Sequence, residues 1–185
     1  KATPIVQFWY QEGPYGDYRP LHYTLWRLLY LITGDLSPAF LHSLPLAGHT
    51  LCGLLVGLLA AQASRKLLPA LLATALFVLA PFAFDAVLWV SSFSYPLTTA
   101  LALGALLLYS LAREKDDRVL HIGALVFTAL AALAYEGGVV TGVLIFLYEL
   151  LRDRRTLSRW AWGHGAISAA AVLLIAGRPA HDRRP

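Results

Sequence analysis

Residues 119–151 read VLHIGALVFTALAALAYEGGVVTGVLIFLYELL. As one helix this run would measure about 50 Å, too long for a single bilayer crossing at ordinary tilt. As two segments, 119–135 and 139–151, each is short for a span. The paired glycines of Tyr135-Glu136-Gly137-Gly138 favour a break between them. The reading is a tight hairpin of two short apolar helices with Glu136 at its tip.

The rest of the chain has the same grain. Of its 185 residues, 58% are hydrophobic and only 14% charged, with a mean hydropathy of +0.60. A soluble domain carries about a quarter charged residues. The apolar blocks run to roughly 15–25 residues, the length that crosses about 30 Å of hydrocarbon. The expected fold is therefore all-α, a polytopic transmembrane helix bundle. The net charge of +4 does not point to nucleic acid. Most basic residues sit between apolar segments, where positive-inside topology accounts for them. Cys52 lies inside an apolar block and reads as packing. No thiol-rich metal pattern is present, and neither a metal nor a cofactor is expected. The sequence starts at Lys1, contains no Met and shows no signal-peptide pattern, so it is expected to be a piece of a longer protein.

Residues 1–20 are rich in aromatics and turn formers, as befits a loop lying on a bilayer. Residues 21–33 make a short apolar helix carrying His22 and Arg27. Residues 34–176 follow as a bundle of about six spans, with apolar segments at 39–63, 67–83, 96–112, 119–135, 139–151 and 160–176. The polar stretch 177–185 reads as a tail or a truncation edge. Three basic clusters, Arg65 with Lys66, the Arg113–Arg118 run and the Arg152–Arg159 run, fall on one side if each intervening pair of segments is a hairpin. That side holds nine Lys or Arg residues and is expected to be cytoplasmic. Segment 39–63 must then run inward. Thirteen residues give only about 20 Å of helix, so 21–33 is too short to cross and reads as an interfacial helix on the outer leaflet. Residues 1–20, Asp85 and Glu136 are thereby expected on the outer face of the membrane.

That face gathers Asp17, Asp85 and Glu136 from three separate loops, which is how a site on a helical scaffold is built. Outer loops also carry acids simply because basic residues are steered inward. Glu136 stands apart, because an unpaired carboxylate inside a break between apolar segments is expensive. Arg19 and Arg27 can grip an anionic headgroup through bidentate hydrogen bonds, or merely snorkel to the interface. His42 and His49 lie two helical turns apart on one face of segment 39–63. They read either as a phosphate-binding pair or as hydrogen-bonding partners of a neighbouring helix.

Taken in order, Tyr18-Arg19-Pro20-Leu21, Phe40-Leu41-His42 with His49, Pro81 with Asp85-Ala86-Val87 and Trp89, and Tyr135-Glu136-Gly137-Gly138 resemble membrane glycosyltransferases of the GT-C superfamily. The nearest group is the bacterial relatives of protein O-mannosyltransferases, including the TPR-linked transmembrane type. The resemblance covers residues 9–152. It departs from that pattern where Asp85 replaces a Glu, Ser92 an Arg and Tyr135 a Lys, and where Ser43–Leu46 lacks an Asn. The resemblance implies a GT-C-like bundle that transfers a sugar from a polyprenyl-phosphate donor to an acceptor on the outer face. It implies Asp17, Asp85 and Glu136 as catalytic carboxylates, and Tyr18, Arg19, Arg27, His42 and His49 as substrate-binding residues. In that group the main catalytic acid precedes the RPL motif, upstream of Lys1. The expected partners are the lipid-linked donor, membrane lipid and an unidentified acceptor, with no nucleic acid. The alternative is a non-enzymatic membrane protein, a transporter, flippase or assembly subunit, that uses the same acids to bind a cation or headgroup.

Overall fold

A computed structural model of the chain describes residues 4–11, 13, 17–34, 37–81, 87–152 and 157–177. Every regular element among them is helical. After a 3₁₀ turn at Ile5–Trp9 come α1 (Pro20–Thr33), α2 (Pro38–Ser64) and α3 (Leu67–Val78). A second 3₁₀ turn, Val90–Phe93, leads into α4 (Ser94–Lys115) and then α5 (Arg118–Ala134). A third, Glu136–Val139, joins α5 to α6 (Val140–Arg152), and α7 (Arg159–Ala176) closes the series.

Local chemistry sets most of these boundaries. Pro20 and Pro38 occupy the first turns of α1 and α2, where a missing N–H costs nothing and φ is already helical. Gly34 ends α1 at φ 71°, a left-handed conformation that suits glycine. The side chains of Ser37, Asp117 and Ser158 accept from backbone N–H groups in the first turns of α2, α5 and α7. Such caps are worth about 1 kcal/mol each. α3 stops at Val78, five residues before the expected end of its segment at 83. Pro81 explains this, since it disfavours helical backbone at Ala80.

The break in 119–151 is present. α5 ends at Ala134, Tyr135 is extended at φ −162°, and Glu136–Val139 forms the 3₁₀ turn. The two helices do not pair along their length as a tight hairpin, however. α6 lies chiefly against α7, which also packs on α5. A Cβ on Gly138 would overlap the carbonyl of Ala131 and the amide of Ala132, so this turn can fold back on α5 only with glycine there.

α4 and α5 form the most extensive interface, α2 packs on both α3 and α4, and α1 docks its length on α5. The central cluster consists of Ala105, Tyr109, Ala124, Ile145 and Ala161. Small side chains at the helix contacts let the backbones approach closely. Leu54, Leu58, Leu68, Leu71, Leu72 and Leu76 face outward instead. Two described helical stretches, Pro38–Ser64 and Val90–Lys115, are long and apolar enough to cross a membrane.

Candidate functional site

Asp17 and Arg19 lie in the extended segment that enters α1, and Glu136 lies in the turn between α5 and α6. Because α1 docks on α5, these segments meet although Arg19 and Glu136 are 117 residues apart. The Arg19 Nε–H donates to both carboxylate oxygens of Glu136, and the same nitrogen forms an ion pair with Asp17. Asp17 Oδ2 is 3.1 Å away, and both oxygens of Glu136 are at 3.2 Å. The guanidinium carbon sits 4.6 Å from the centroid of the Tyr135 ring, a cation–π contact. The Tyr95 ring stands edge-on to Tyr135 at 4.9 Å. Burial, and after it hydrogen bonding with Tyr95, pushes the Tyr135 phenol above its ordinary value, so it remains a proton donor at neutral pH.

The two acids differ in what they can do. Asp17 Oδ1 accepts from the Tyr23 hydroxyl at 2.7 Å while Oδ2 faces Arg19, and its side chain is 13% exposed. Both of its oxygens are engaged. Glu136 is turned only to the Arg19 Nε, and its side chain is 33% exposed. The terminal nitrogens of Arg19 have no hydrogen-bond partner among the described residues. Among the described residues, the cluster thus leaves the outer nitrogens of a guanidinium without a hydrogen bond, beside a carboxylate that is one-third exposed.

His22 lies one turn into α1. Trp26 Nε1–H donates to its Nε2 at 3.0 Å, and its ring packs against Tyr23, Trp26 and Phe93. Burial and then the Arg19 guanidinium lower the imidazole from 6.5 to about 4, against the opposing pull of Asp17.

The other expected site residues stand elsewhere. Tyr18 is buried and donates to the Trp9 carbonyl at 3.2 Å, which anchors the 3₁₀ turn Ile5–Trp9. Arg27 lies over the ring of Tyr30, 5.5 Å from its centroid. His42 is exposed. His49 is buried, with Nε2 3.3 Å from the Val78 carbonyl and its ring stacked on Phe77, so it ties α2 to α3. It also borders an apolar groove of about 350 Å³ together with Leu46, Thr50, Val78, Pro81 and Leu88. None of Asp17, Arg19 and Glu136 lines that groove. Asp85 and Ala86 fall outside the described residues. Among the described residues, no three His, Cys, Asp or Glu side chains converge to hold a metal ion.

A second polar cluster, at the other end of α4, has no counterpart in the sequence reading. Glu149 is fully buried, paired with Arg113 at 3.1 Å and accepting from the Tyr109 hydroxyl at 3.1 Å. The same hydroxyl meets Ser158 Oγ at 2.8 Å. Around the Tyr109 ring stand His121, which stacks on Trp160 at 4.6 Å, and His164, whose Nδ1 meets Thr128 Oγ1 at 2.7 Å. The signal for Glu149 was available, since it is a carboxylate inside an apolar segment, the same argument that singled out Glu136. No family model, curated protein or solved structure matches the chain.

Proposed function

We propose that the chain is part of a GT-C-like membrane glycosyltransferase that moves a sugar from a polyprenyl-phosphate donor to an acceptor hydroxyl on the outer face of the membrane. The observation that carries this reading is the convergence of Asp17 and Glu136 on the Nε of Arg19. In this reading the bundle is polytopic and sits in a prokaryotic inner membrane. α2 and the Val90–Lys115 stretch cross fully, and α1 lies in the outer interface. α3, at 12 residues, is about 18 Å long and crosses only with help from its flanking residues.

The chemistry follows from the two edges of Arg19. Its Nε edge is taken by carboxylates, and its terminal nitrogens face a phosphate oxygen of the donor bidentately. Glu136, the more accessible acid, takes the proton of the acceptor hydroxyl. The hydroxyl oxygen bonds to the anomeric carbon as the bond from that carbon to the phosphate oxygen breaks. The electron pair leaves on the phosphate, where Arg19 meets the growing negative charge. Asp17, held by Tyr23, fixes Arg19 in place. Asp85 stays a proposed third carboxylate, and Arg27 a proposed headgroup contact.

The test is incorporation of radiolabelled mannose from polyprenyl-phosphate mannose, in proteoliposomes, by the full-length protein of which this chain is part. Glu136→Gln and Arg19→Lys are expected to reduce transfer by about a hundredfold and Asp17→Asn by about tenfold. Transfer at the wild-type rate by Glu136→Gln sinks the site assignment.

The buried Glu149–Arg113 pair favours the alternative of a non-enzymatic solute or lipid translocator, because ionisable residues inside membrane bundles mark transport paths. That reading expects solute or lipid flux in the same proteoliposomes, abolished by Glu149→Gln and indifferent to Glu136→Gln.

A further inference from the structure

Trp26 Nε1–H can only donate, so the His22 nitrogen that it meets must be the acceptor. In the neutral ring the proton then resides on Nδ1. That Nδ1 is buried and has no hydrogen-bond partner among the described residues. His22 as a whole is 6% exposed. A buried N–H left unmade costs about 1–3 kcal/mol, and buried donors in folded proteins are nearly always satisfied by something.

The setting of the ring says what that partner is near. His22 lies in the first turn of α1, three residues after Arg19, which caps that helix. The Tyr23 ring, edge-on to His22 at 5.5 Å, carries the hydroxyl that holds Asp17. Burial and then the Arg19 guanidinium keep the imidazole neutral at physiological pH, against the opposing pull of Asp17. A neutral N–H donor beside a charged cluster suits an oxygen acceptor and asks for no charge on it.

We propose that His22 is a ligand-contacting residue of the Arg19 site, whose Nδ1–H donates to an oxygen of the lipid-linked sugar donor. This rests on the glycosyltransferase reading and deepens it, since it gives the site a contact independent of ionic attraction. The oxygen belongs either to the sugar (a hydroxyl or ring oxygen) or to the phosphate.

Asparagine and glutamine separate the two nitrogens of the ring. The amide nitrogen of Asn reaches the position of Nδ1, and the amide group of Gln reaches that of Nε2. His22→Asn therefore keeps the donor and loses the Trp26 bond, while His22→Gln does the reverse. Binding of two probes to the full chain in detergent, methyl α-mannopyranoside and decaprenyl phosphate, is followed by tryptophan emission. The expected result is about tenfold weaker binding of one probe by His22→Gln, with His22→Asn within about threefold of wild type. The probe that responds identifies sugar or phosphate as the source of the oxygen.

Equal behaviour of the two variants, as a structural water on Nδ1 would produce, overturns the proposal. So does the opposite order, which would make His22 an anchor for Trp26, and so does binding of neither probe by wild type. Should His22→Asn not fold, the wild-type Nδ1 proton resonance in isotopically labelled histidine must shift on addition of the responding probe, and an unmoved resonance overturns the proposal. Wild type that binds with the expected split but transfers no sugar removes the transferase reading and leaves the His22 contact standing.

Discussion

At the scale of single residues, the chemistry concentrates where a charge is forced to share its surroundings with apolar neighbours. Glu136 was singled out from sequence on that ground, whereas Asp17 and Arg19 were outer-loop charges whose meeting with Glu136 only the fold reveals. His42 and His49 show the limit of the same logic. Their spacing gives a common helix face but not the neighbour on it, and the neighbour of His49 is the Val78 carbonyl of α3. His22 carries a prediction of its own. An unfolded chain protonates a histidine near 6.5, whereas folded His22 waits until about 4. Between those values the unfolded state binds more protons, so stability falls as pH drops from 6.5 toward 4, by at most about 3 kcal/mol. Denaturation midpoints measured at pH 7 and pH 4.5 are expected to differ less for His22→Asn than for wild type.

At the scale of elements, segment existence was readable and segment ends were not. Apolar run length located every helix from α1 to α7, but the end of α3 depends on Pro81, and the partner of α6 depends on packing that periodicity does not encode. The turn at Glu136–Val139 is the most exacting element. Gly138→Ala would drive a methyl group into the backbone of Ala131 and Ala132, and backbone cannot move aside as a side chain can. The expected cost is about 1–3 kcal/mol, together with displacement of Glu136 from Arg19. Gly123→Ala, where the new atom would sit 3.5 Å from a Leu108 methyl, is the matched control. A thermal midpoint for Gly138→Ala equal to that of Gly123→Ala would contradict the close approach.

At the scale of the whole molecule, polar side chains share the interior with the apolar core while large apolar ones face outward. His22, His49, His121, His164 and Glu149 are inside, while leucines cover much of α2 and α3 outside. A monomer in water rarely exposes so much contiguous apolar surface. The proposed topology puts Glu136 outside and Arg113–Arg118 inside, so single cysteines placed next to each in a Cys52→Ala background are expected to react with an impermeant maleimide from opposite sides of a sealed vesicle. Labelling of both from one side would overturn the proposed topology. The Tyr109–Glu149–Arg113 cluster ties α4 to α6 and to the start of α7, and its two ions are unequal. Arg113 is 29% exposed and Glu149 not at all. Arg113→Met strands a buried carboxylate, whereas Glu149→Gln leaves a guanidinium that can turn to water. The first variant is expected to lose about 3 kcal/mol and the second distinctly less, read as thermal midpoints in detergent.

The reach of Arg19 to Glu136 has a bearing on how the molecule comes into being. α4 and α5 are joined through Asp116 and Asp117 alone and share the broadest interface, so their pairing closes a very short loop. The Arg19–Glu136 pair closes one of 117 residues, at a larger cost in chain entropy. Refolding is therefore expected to proceed from the middle of the chain outward, with the docking of α1 among its late steps. Pulsed hydrogen exchange during refolding in detergent is expected to find the amides of α5 protected before those of α1, and the reverse order would refute this sequence of events.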